Sequence, residues 1–217
     1  MLRADDVFVD NDVSQFEKIC QIVRRYDFDH IVGITPKGEG KWLWSRHKKL
    51  WKIHFLTGYG IFVNYRIKRN CGEKFIGKNI QLVRLLNSIF KNCDTVPALH
   101  GLHHYRYTDL PQNIVCAELS EGIELLKQLL GVRIKVFTPP FCSWNHCTER
   151  ACENLKLTID KCAPSASFDN LIRNMNDWQI IQLAKEQSSI PELFYHPWAL
   201  QSLRKFEIYL KTRRKYL

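Results

Sequence analysis

The sequence predicts an α/β fold, either an open parallel sheet or a (β/α) barrel. Short β-branched runs alternate with segments of helical apolar spacing along most of the 217 residues. Repeated strand-then-helix units imply parallel strands that are joined by right-handed crossovers. Polar residues follow several of the predicted strands, and that edge is where active sites are assembled in β/α barrels.

The first strand, helix and second strand illustrate the pattern. Leu2–Phe8 has the character of a short strand that carries acids near its end. Val13–Tyr26 places apolar residues at the spacing of one helix face. His30–Thr35 is a compact β-branched run that Pro36 stops, which predicts a second strand.

The same alternation continues to the end of the sequence. Asn and Ser are favoured N-caps, and Gly is a common helix stop, so these residues predict several boundaries. The further predicted elements are a helix from an Asn79 cap to about Lys91, a strand Thr95–Leu99, a helix from a Ser120 cap to Leu130 with Gly131 as its stop, a strand Val132–Phe137, a helix Thr148–Leu155, a strand Leu157–Ile159, a helix Asp177–Gln187, a strand Leu193–Tyr195 and a helix from Ala199 to about Arg213.

Residues 37–76 fit no strand–helix unit and are predicted to form an insertion in a single domain of residues 1–217. The segment is basic and aromatic, with Trp42, Trp44 and Trp51 among its lysines and arginines. Such a composition suits sugar stacking or phosphate contact. Packing of a small separate core explains it equally well.

The formal net charge of +10 favours anionic partners. These could be an acidic membrane surface, an acidic or lipid-linked glycan, or a nucleic acid. No nucleic-acid-binding motif is visible, so we expect no nucleic-acid partner. The basic helix Ala199–Arg213 has one apolar side, which either lies on a membrane or docks onto the barrel.

The sequence argues against a membrane-spanning or secreted chain. No apolar run approaches the roughly 20 residues that a transmembrane helix needs. Asp5 and Asp6 interrupt any signal-like apolar region at the start. The eight cysteines form no CxxC pair, which is typical of free thiols in a reducing compartment. We therefore expect a cytoplasmic location.

Two clusters of polar residues could hold a metal ion. His103 and His104 follow His100 by three and four residues, and imidazoles at either spacing can share one ion. Two histidines and one carboxylate leave coordination positions for water and substrate. Asp5 and Asp6 are adjacent on a strand and so point to opposite sides, which means that the backbone must bend if both serve one site.

Four segments resemble, in order, the motifs of the NodB-homology polysaccharide deacetylases, in a divergent branch of that family. They are Leu2–Val7 (LRADDV), His100–His104 (HGLHH), Phe137–Asn145 (FTPPFCSWN) and Phe194–Trp198 (FYHPW). The resemblance implies a distorted (β/α) barrel and a hydrolase that removes an N-acetyl, or sometimes an O-acetyl, group from a sugar. The expected substrate is an acetylated sugar or a lipid-linked glycan precursor, processed at the inner membrane face.

The resemblance also implies roles for individual residues. Asp6, His100 and His104 would bind one divalent metal, zinc by default, with cobalt, nickel or manganese as the other possibilities. A metal-bound water would then attack the acetyl carbonyl. Asp5 would be the general base and His196 the general acid that protonates the leaving amine.

Four further residues are expected to contact the substrate: Pro140, Phe141, Asn145 and Trp198. An N-cap for the helix at Thr148 is an equal alternative for Asn145. The family's base-positioning arginine is replaced by Thr138, so that contact is expected to be missing. Gly101 stands where the family has Ser or Thr.

Two other functions fit the same residues. Fold does not fix substrate, so the metal site could serve another amide or ester hydrolase. Alternatively, the chain could be a basic nucleic-acid-binding protein with a degenerate site.

Overall fold

A computed structural model describes residues 1–37, 74–92, 94–161, 167–190 and 192–217. Six parallel strands curl into a half-barrel with helices around them, which confirms the predicted fold class. The strands are β1 (Leu2–Val7), β2 (His30–Ile34), β3 (Thr95–Leu99), β4 (Val136–Phe137), β5 (Thr158–Ile159) and β6 (Leu193–Tyr195). Their order is β5-β4-β3-β2-β1-β6, so β5 and β6 are the two edges.

The helices of the described residues bury apolar faces against this sheet. They are α1 (Val13–Arg25), α2 (Ile80–Asn92), α3 (Gln112–Leu130), α4 (His146–Asn154), α5 (Phe168–Ile172), α6 (Asp177–Glu186) and α7 (Leu203–Arg214). Phe16 of α1, Leu86 of α2 and Leu119 of α3 are fully buried with Val32 and Leu99 of the strands in one apolar core. Because all strands are parallel, their carboxyl ends meet at one edge of the sheet.

Most predicted elements are present, but several of their boundaries differ from the prediction. The Asn79 cap is confirmed, because its side-chain oxygen accepts a hydrogen bond from the Leu82 amide at 3.0 Å. Helix α3 begins at Gln112, after Pro111, so Ser120 lies inside the helix and does not cap it. The helix does end at Gly131, which has a φ of +62°. Strand β4 is shorter than predicted, at two residues.

The last helix docks onto the barrel. Ser202 caps it by accepting a hydrogen bond from the Lys205 amide, and Phe206 and Leu210 are fully buried. The apolar side is therefore part of the core, which removes it as a membrane-binding face. Arg213 is also buried, at 1% exposure, and does not belong to the basic surface. Among the described residues, no helix combines the length and the apolar character that crossing a bilayer requires.

Most of the predicted insertion, residues 38–73, lies outside the described residues. Its two ends lie beside the carboxyl end of β2. The Ile76 amide donates to the Pro36 carbonyl at 2.8 Å, and the Lys37 amide donates to the Leu102 carbonyl at 2.9 Å. The described residues on either side of the segment therefore lie next to the loop that carries the three clustered histidines.

Candidate metal centre and active site

A bend at the end of β1 brings the two adjacent aspartates into one site. Asp6 has a left-handed φ of +61°, and the pairing of β1 with β2 shifts register between Ala4 and Val7. On a regular strand Asp5 and Asp6 would face opposite sides of the sheet. Here both are 4% exposed at the same edge, as the shared-site hypothesis requires.

Asp6, His100 and His104 form a compact group of possible metal ligands. Asp6 Oδ1 lies 2.9 Å from His104 Nε2 and 3.1 Å from His100 Nε2. One ligand atom from each residue falls within 4.8 Å of the other two. His103 points away, with its Nδ1 at 3.0 Å from a carboxylate oxygen of Glu118. The two histidines that share the site are therefore four residues apart.

The donor atoms of this group fit a divalent metal. His100 Nδ1 lies 2.7 Å from the Thr138 carbonyl, and a carbonyl oxygen can only accept, so Nδ1 carries the proton. That tautomer leaves the Nε2 lone pair directed at the site, as in histidines that bind metals. Asp6 Oδ1 is buried and makes no aligned hydrogen bond within the described residues. One carboxylate and two imidazoles suit several first-row ions.

The electrostatics of the group favour a positive charge at its centre. Burial would raise the pKa of Asp6, but the adjacent His104 and His100 hold it well below its usual value. Burial would lower the pKa of His100, but Asp5 and Asp6 raise it. The carboxylates thus stabilise a cation at the imidazoles, and a proton and a metal ion compete for that place.

Gly101 is explained by the geometry of the same loop. It has a φ of +78°, and a Cβ added there would lie 2.5 Å from the His103 carbonyl oxygen. The residue that the family carries at this position therefore does not fit this loop.

We expect Gly101→Ser to lower both the free energy of unfolding and the affinity for metal. The left-handed φ alone costs about 1–3 kcal/mol for a residue with a Cβ, and the contact with His103 forces the loop to move. Urea unfolding and metal titration should both show a loss. Gly131→Ala is the matched control, since Gly131 has a φ of +62° but no atom within 4 Å of the added Cβ. If both variants lose the same stability and keep the same metal affinity, the loop does not need this glycine.

Asp5, the expected general base, is held by Arg3. Arg3 Nε lies 3.0 Å from Asp5 Oδ1, and Nη2 lies 3.0 Å from Oδ2, so the contact is bidentate. The guanidinium is completely buried. The contact that the family's arginine would make from position 138 is absent, as expected, and Arg3 on β1 contacts Asp5 instead. Arg3 and Asp5 are two residues apart on a strand and share one face, which was the available sequence signal.

His196, the expected general acid, is held by Asp169. Asp169 Oδ1 accepts from the His196 amide at 2.9 Å and lies 3.1 Å from Nδ1. The other ring nitrogen, Nε2, lies 3.8 Å from Asp6 Oδ2 and therefore faces the metal group. Burial would lower the pKa of His196, but the hydrogen bond with Asp169 and the charges of Asp6, Asp169 and Asp5 raise it to about 9. Sequence reasoning missed Asp169, because no spacing links it to the histidine.

The four expected substrate contacts lie around this group in different ways. The Phe141 ring is 4.4 Å from the His104 ring and the side chain is 44% exposed, while Pro140 is buried. The Trp198 ring lies 5.6 Å from the His196 ring. Asn145 caps α4, since its oxygen accepts from the Thr148 amide at 3.1 Å. The N-cap alternative is therefore observed, and the substrate contacts stay predictions.

Comparison with known proteins adds a family match over part of the chain. Residues 74–159 match the family model described as polysaccharide deacetylase. The resemblance to the polysaccharide deacetylases is confirmed. No curated protein sequence matches the chain.

Solved structures show the same fold at low identity, as expected of a divergent branch. The family 4 carbohydrate esterase from Streptomyces lividans has a TM-score of 0.59 and 15% identity, covering 100% of this chain and 85% of the other. The Bacillus cereus polysaccharide deacetylase Bc1974 gives 0.60 and 13%, with coverages of 99% and 86%. A CE4 family pseudoenzyme from Bacillus anthracis gives 0.61 and 11%, with coverages of 99% and 59%. The chain therefore spans 59% of the length of that protein.

Proposed function

We propose that this chain is a metal-dependent hydrolase that removes an acetyl group from an N-acetylated sugar. One observation supports the proposal most. The metal-ligand group of Asp6, His100 and His104 has two held side chains beside it, the Asp5 carboxylate and the His196 imidazole, each within 3.8 Å of one member of the group. Hydrolysis of an amide needs these three parts together, because the carbonyl must be polarised, a water deprotonated and the amine protonated.

The residues divide the reaction between them. The metal, when bound, supplies polarisation of the acetyl carbonyl and a lowered water pKa. Asp5 accepts a proton from the attacking water as the new C–O bond forms. His196 delivers the proton on Nε2 to the nitrogen as the C–N bond breaks. The products are acetate and the free amine of the sugar.

The side chains that hold these two groups suit their roles. Arg3 holds the Asp5 carboxylate in one orientation through two hydrogen bonds, which suits a base. Asp169 accepts a hydrogen bond from the Nδ1–H of His196, so that Nε2 points into the site. A pKa of about 9 keeps His196 protonated at neutral pH, which a general acid requires.

A similar fold does not imply activity, since one structural relative is described as a pseudoenzyme. The proposal therefore depends on the residues of this site, and every position that the chemistry requires is occupied by a suitable type. Zinc is our first choice of metal, because imidazole and carboxylate ligands suit it, ahead of cobalt, nickel and manganese. A lipid-linked or anionic sugar is the natural substrate that the net charge of +10 favours. A cytoplasmic location at the inner membrane face stays a prediction of the sequence.

The experiment begins with chelator-treated protein, to which zinc, cobalt, nickel and manganese are added separately. We expect one metal per chain by elemental analysis, and acetate release from a panel of N-acetylated sugars only after metal addition. Release from simple acetyl esters but from no acetylated sugar would instead indicate another amide or ester hydrolase. Salt-dependent RNA or DNA binding with no hydrolysis in any metal form would favour the nucleic-acid alternative.

Two histidine variants test which residues bind the metal. We expect His104→Gln to lose the stoichiometric metal, because it removes one of three ligand atoms that lie within 4.8 Å of one another. His103→Gln is the matched control in the same loop, since this imidazole contacts Glu118 instead. Its stoichiometry should stay at one metal per chain. Metal loss in the His103 variant alone would show that the ligand set is wrongly assigned.

A further inference from the structure

Arg3 is buried at the centre of a four-residue charge cluster inside the barrel. Besides its bidentate contact with Asp5, Nη1 lies 3.1 Å from Asp160 Oδ2 and 2.7 Å from Glu192 Oε1. The Arg3 side chain is 0% exposed, and those of Asp160 and Glu192 are 12% and 13% exposed. One guanidinium therefore serves three carboxylates, of which the proposed base is one.

The cluster connects the two open edges of the sheet. Asp160 directly follows β5 and Glu192 directly precedes β6, the first and last strands of the sheet order. Among the described residues these two strands pair with β4 and β1, and not with each other. Arg3, on β1, thus links the two edge strands of the sheet through side-chain contacts rather than through backbone hydrogen bonds.

Thr138 interacts with His100 rather than with the proposed base, Asp5. Its carbonyl accepts from His100 Nδ1 at 2.7 Å, and its hydroxyl oxygen lies 3.0 Å from the same nitrogen. Position 138 therefore orients a metal ligand in this chain, while the guanidinium on β1 orients Asp5.

We propose that Arg3 is a positioning residue, which holds the Asp5 carboxylate for proton transfer and is itself fixed by Asp160 and Glu192 across the barrel's open edges. The proposal rests on the proposed function, in which Asp5 is the base. The Nε and Nη2 edge of a guanidinium matches the two oxygens of a carboxylate, which an ammonium group cannot do. Asp160 and Glu192 hold the opposite end of the same rigid plane, so the orientation of Asp5 depends on both edges of the sheet. Burial raises the pKa of Glu192 to about 7 despite the attraction of Arg3, and the charges of Asp160 and Asp5 and a hydrogen bond with Asp160 add to this rise.

The test combines Arg3→Met with Asp5→Asn in a double-mutant cycle. We expect Arg3→Met to lower kcat by about 100-fold with little change in KM, because a small misplacement of the base slows the chemical step. Metal stoichiometry should stay at one per chain. Arg3→Lys should recover little, since it restores the charge without the bidentate contact. In the Asp5→Asn background, Arg3→Met should cause almost no further loss of kcat, whereas an independent role would give multiplied losses.

Arg213 provides a control, because it is another buried arginine, at 1% exposure, and lies on α7 rather than on β1. Its guanidinium donates to the Tyr209 hydroxyl and to the Ile190 carbonyl. Arg213→Met should lower the unfolding midpoint and leave kcat unchanged. An equal drop in kcat for both variants would mean that Arg3 acts through general stability, which would overturn the proposal.

A neutralised variant covers the case in which Arg3→Met does not fold. Asp160→Asn and Glu192→Gln remove the two carboxylates that would be left unpaired beside Asp5. With Arg3→Met in that background, the crystal structure should show the Asp5 carboxylate turned from its present orientation. An unmoved carboxylate would overturn the proposal. This structural result holds even if the wild-type protein cleaves no acetylated sugar, an outcome that would reject the proposed function separately.

Discussion

Asp5→Asn is expected to lower kcat by roughly 10²–10⁴-fold while the protein keeps one metal per chain. In the proposed mechanism Asp5 accepts the proton from the attacking water, a role that an amide cannot take. Its carboxylate contacts Arg3 and lies 3.8 Å from His100 Nδ1, the nitrogen that faces away from the metal group. Elemental analysis measures the metal content, and single-turnover acetate release measures the rate of the chemical step.

Asp6→Asn is the comparison for that measurement. Its carboxylate oxygen lies 2.9 Å from His104 Nε2 and 3.1 Å from His100 Nε2, so its loss should appear first in metal affinity. High metal concentration should therefore recover part of the turnover in Asp6→Asn and none in Asp5→Asn. If the two variants lose metal equally, the division of roles between these neighbouring aspartates is wrong.

The parts of the fold and site that the sequence predicts are those that short-range patterns encode. β3 and β6 have the predicted bounds because turn residues and a switch of apolar period define both ends. The HGLHH segment limits the two metal-binding histidines to a spacing of three or four residues. Because His103 contacts Glu118 in the structure, the spacing is four. A site that both Asp5 and Asp6 serve requires a bend in the backbone, but no sequence pattern predicts the φ of +61° at Asp6.

The parts that could not be predicted are contacts between residues far apart in sequence. Arg3 and Asp160 are 157 residues apart, and only the curl of the sheet brings β1 near the end of β5. Asp169 reaches His196 from a helix of five residues, which is too short to show a period. Ser120 is a residue type that favours N-caps. The apolar face of α3 already begins at Val115, however, so the helix runs through position 120.

His196 and Asp169 should control the alkaline limit of activity. His196 must be protonated to donate, and its pKa in the folded protein is raised to about 9, so turnover should fall as pH rises through that value. A metal beside Asp6 offsets the contribution of that carboxylate, whereas the contribution of Asp169 remains. His196→Asn should reduce kcat by roughly 10²–10⁴-fold at every pH, because it removes the proposed general acid.

Asp169→Asn tests the cause of that limit. Without the carboxylate at 3.1 Å, the pKa of His196 should fall, so the alkaline limb of the pH profile should move to lower pH. Turnover at neutral pH should fall as well, because the ring loses both its orientation and part of its proton. Asp177→Asn is the control, since Asp177 pairs with Arg204 on an exposed helix start and should leave the limb in place. An alkaline limb that stays fixed in Asp169→Asn would show that another group, and not the imidazole of His196, protonates the leaving amine.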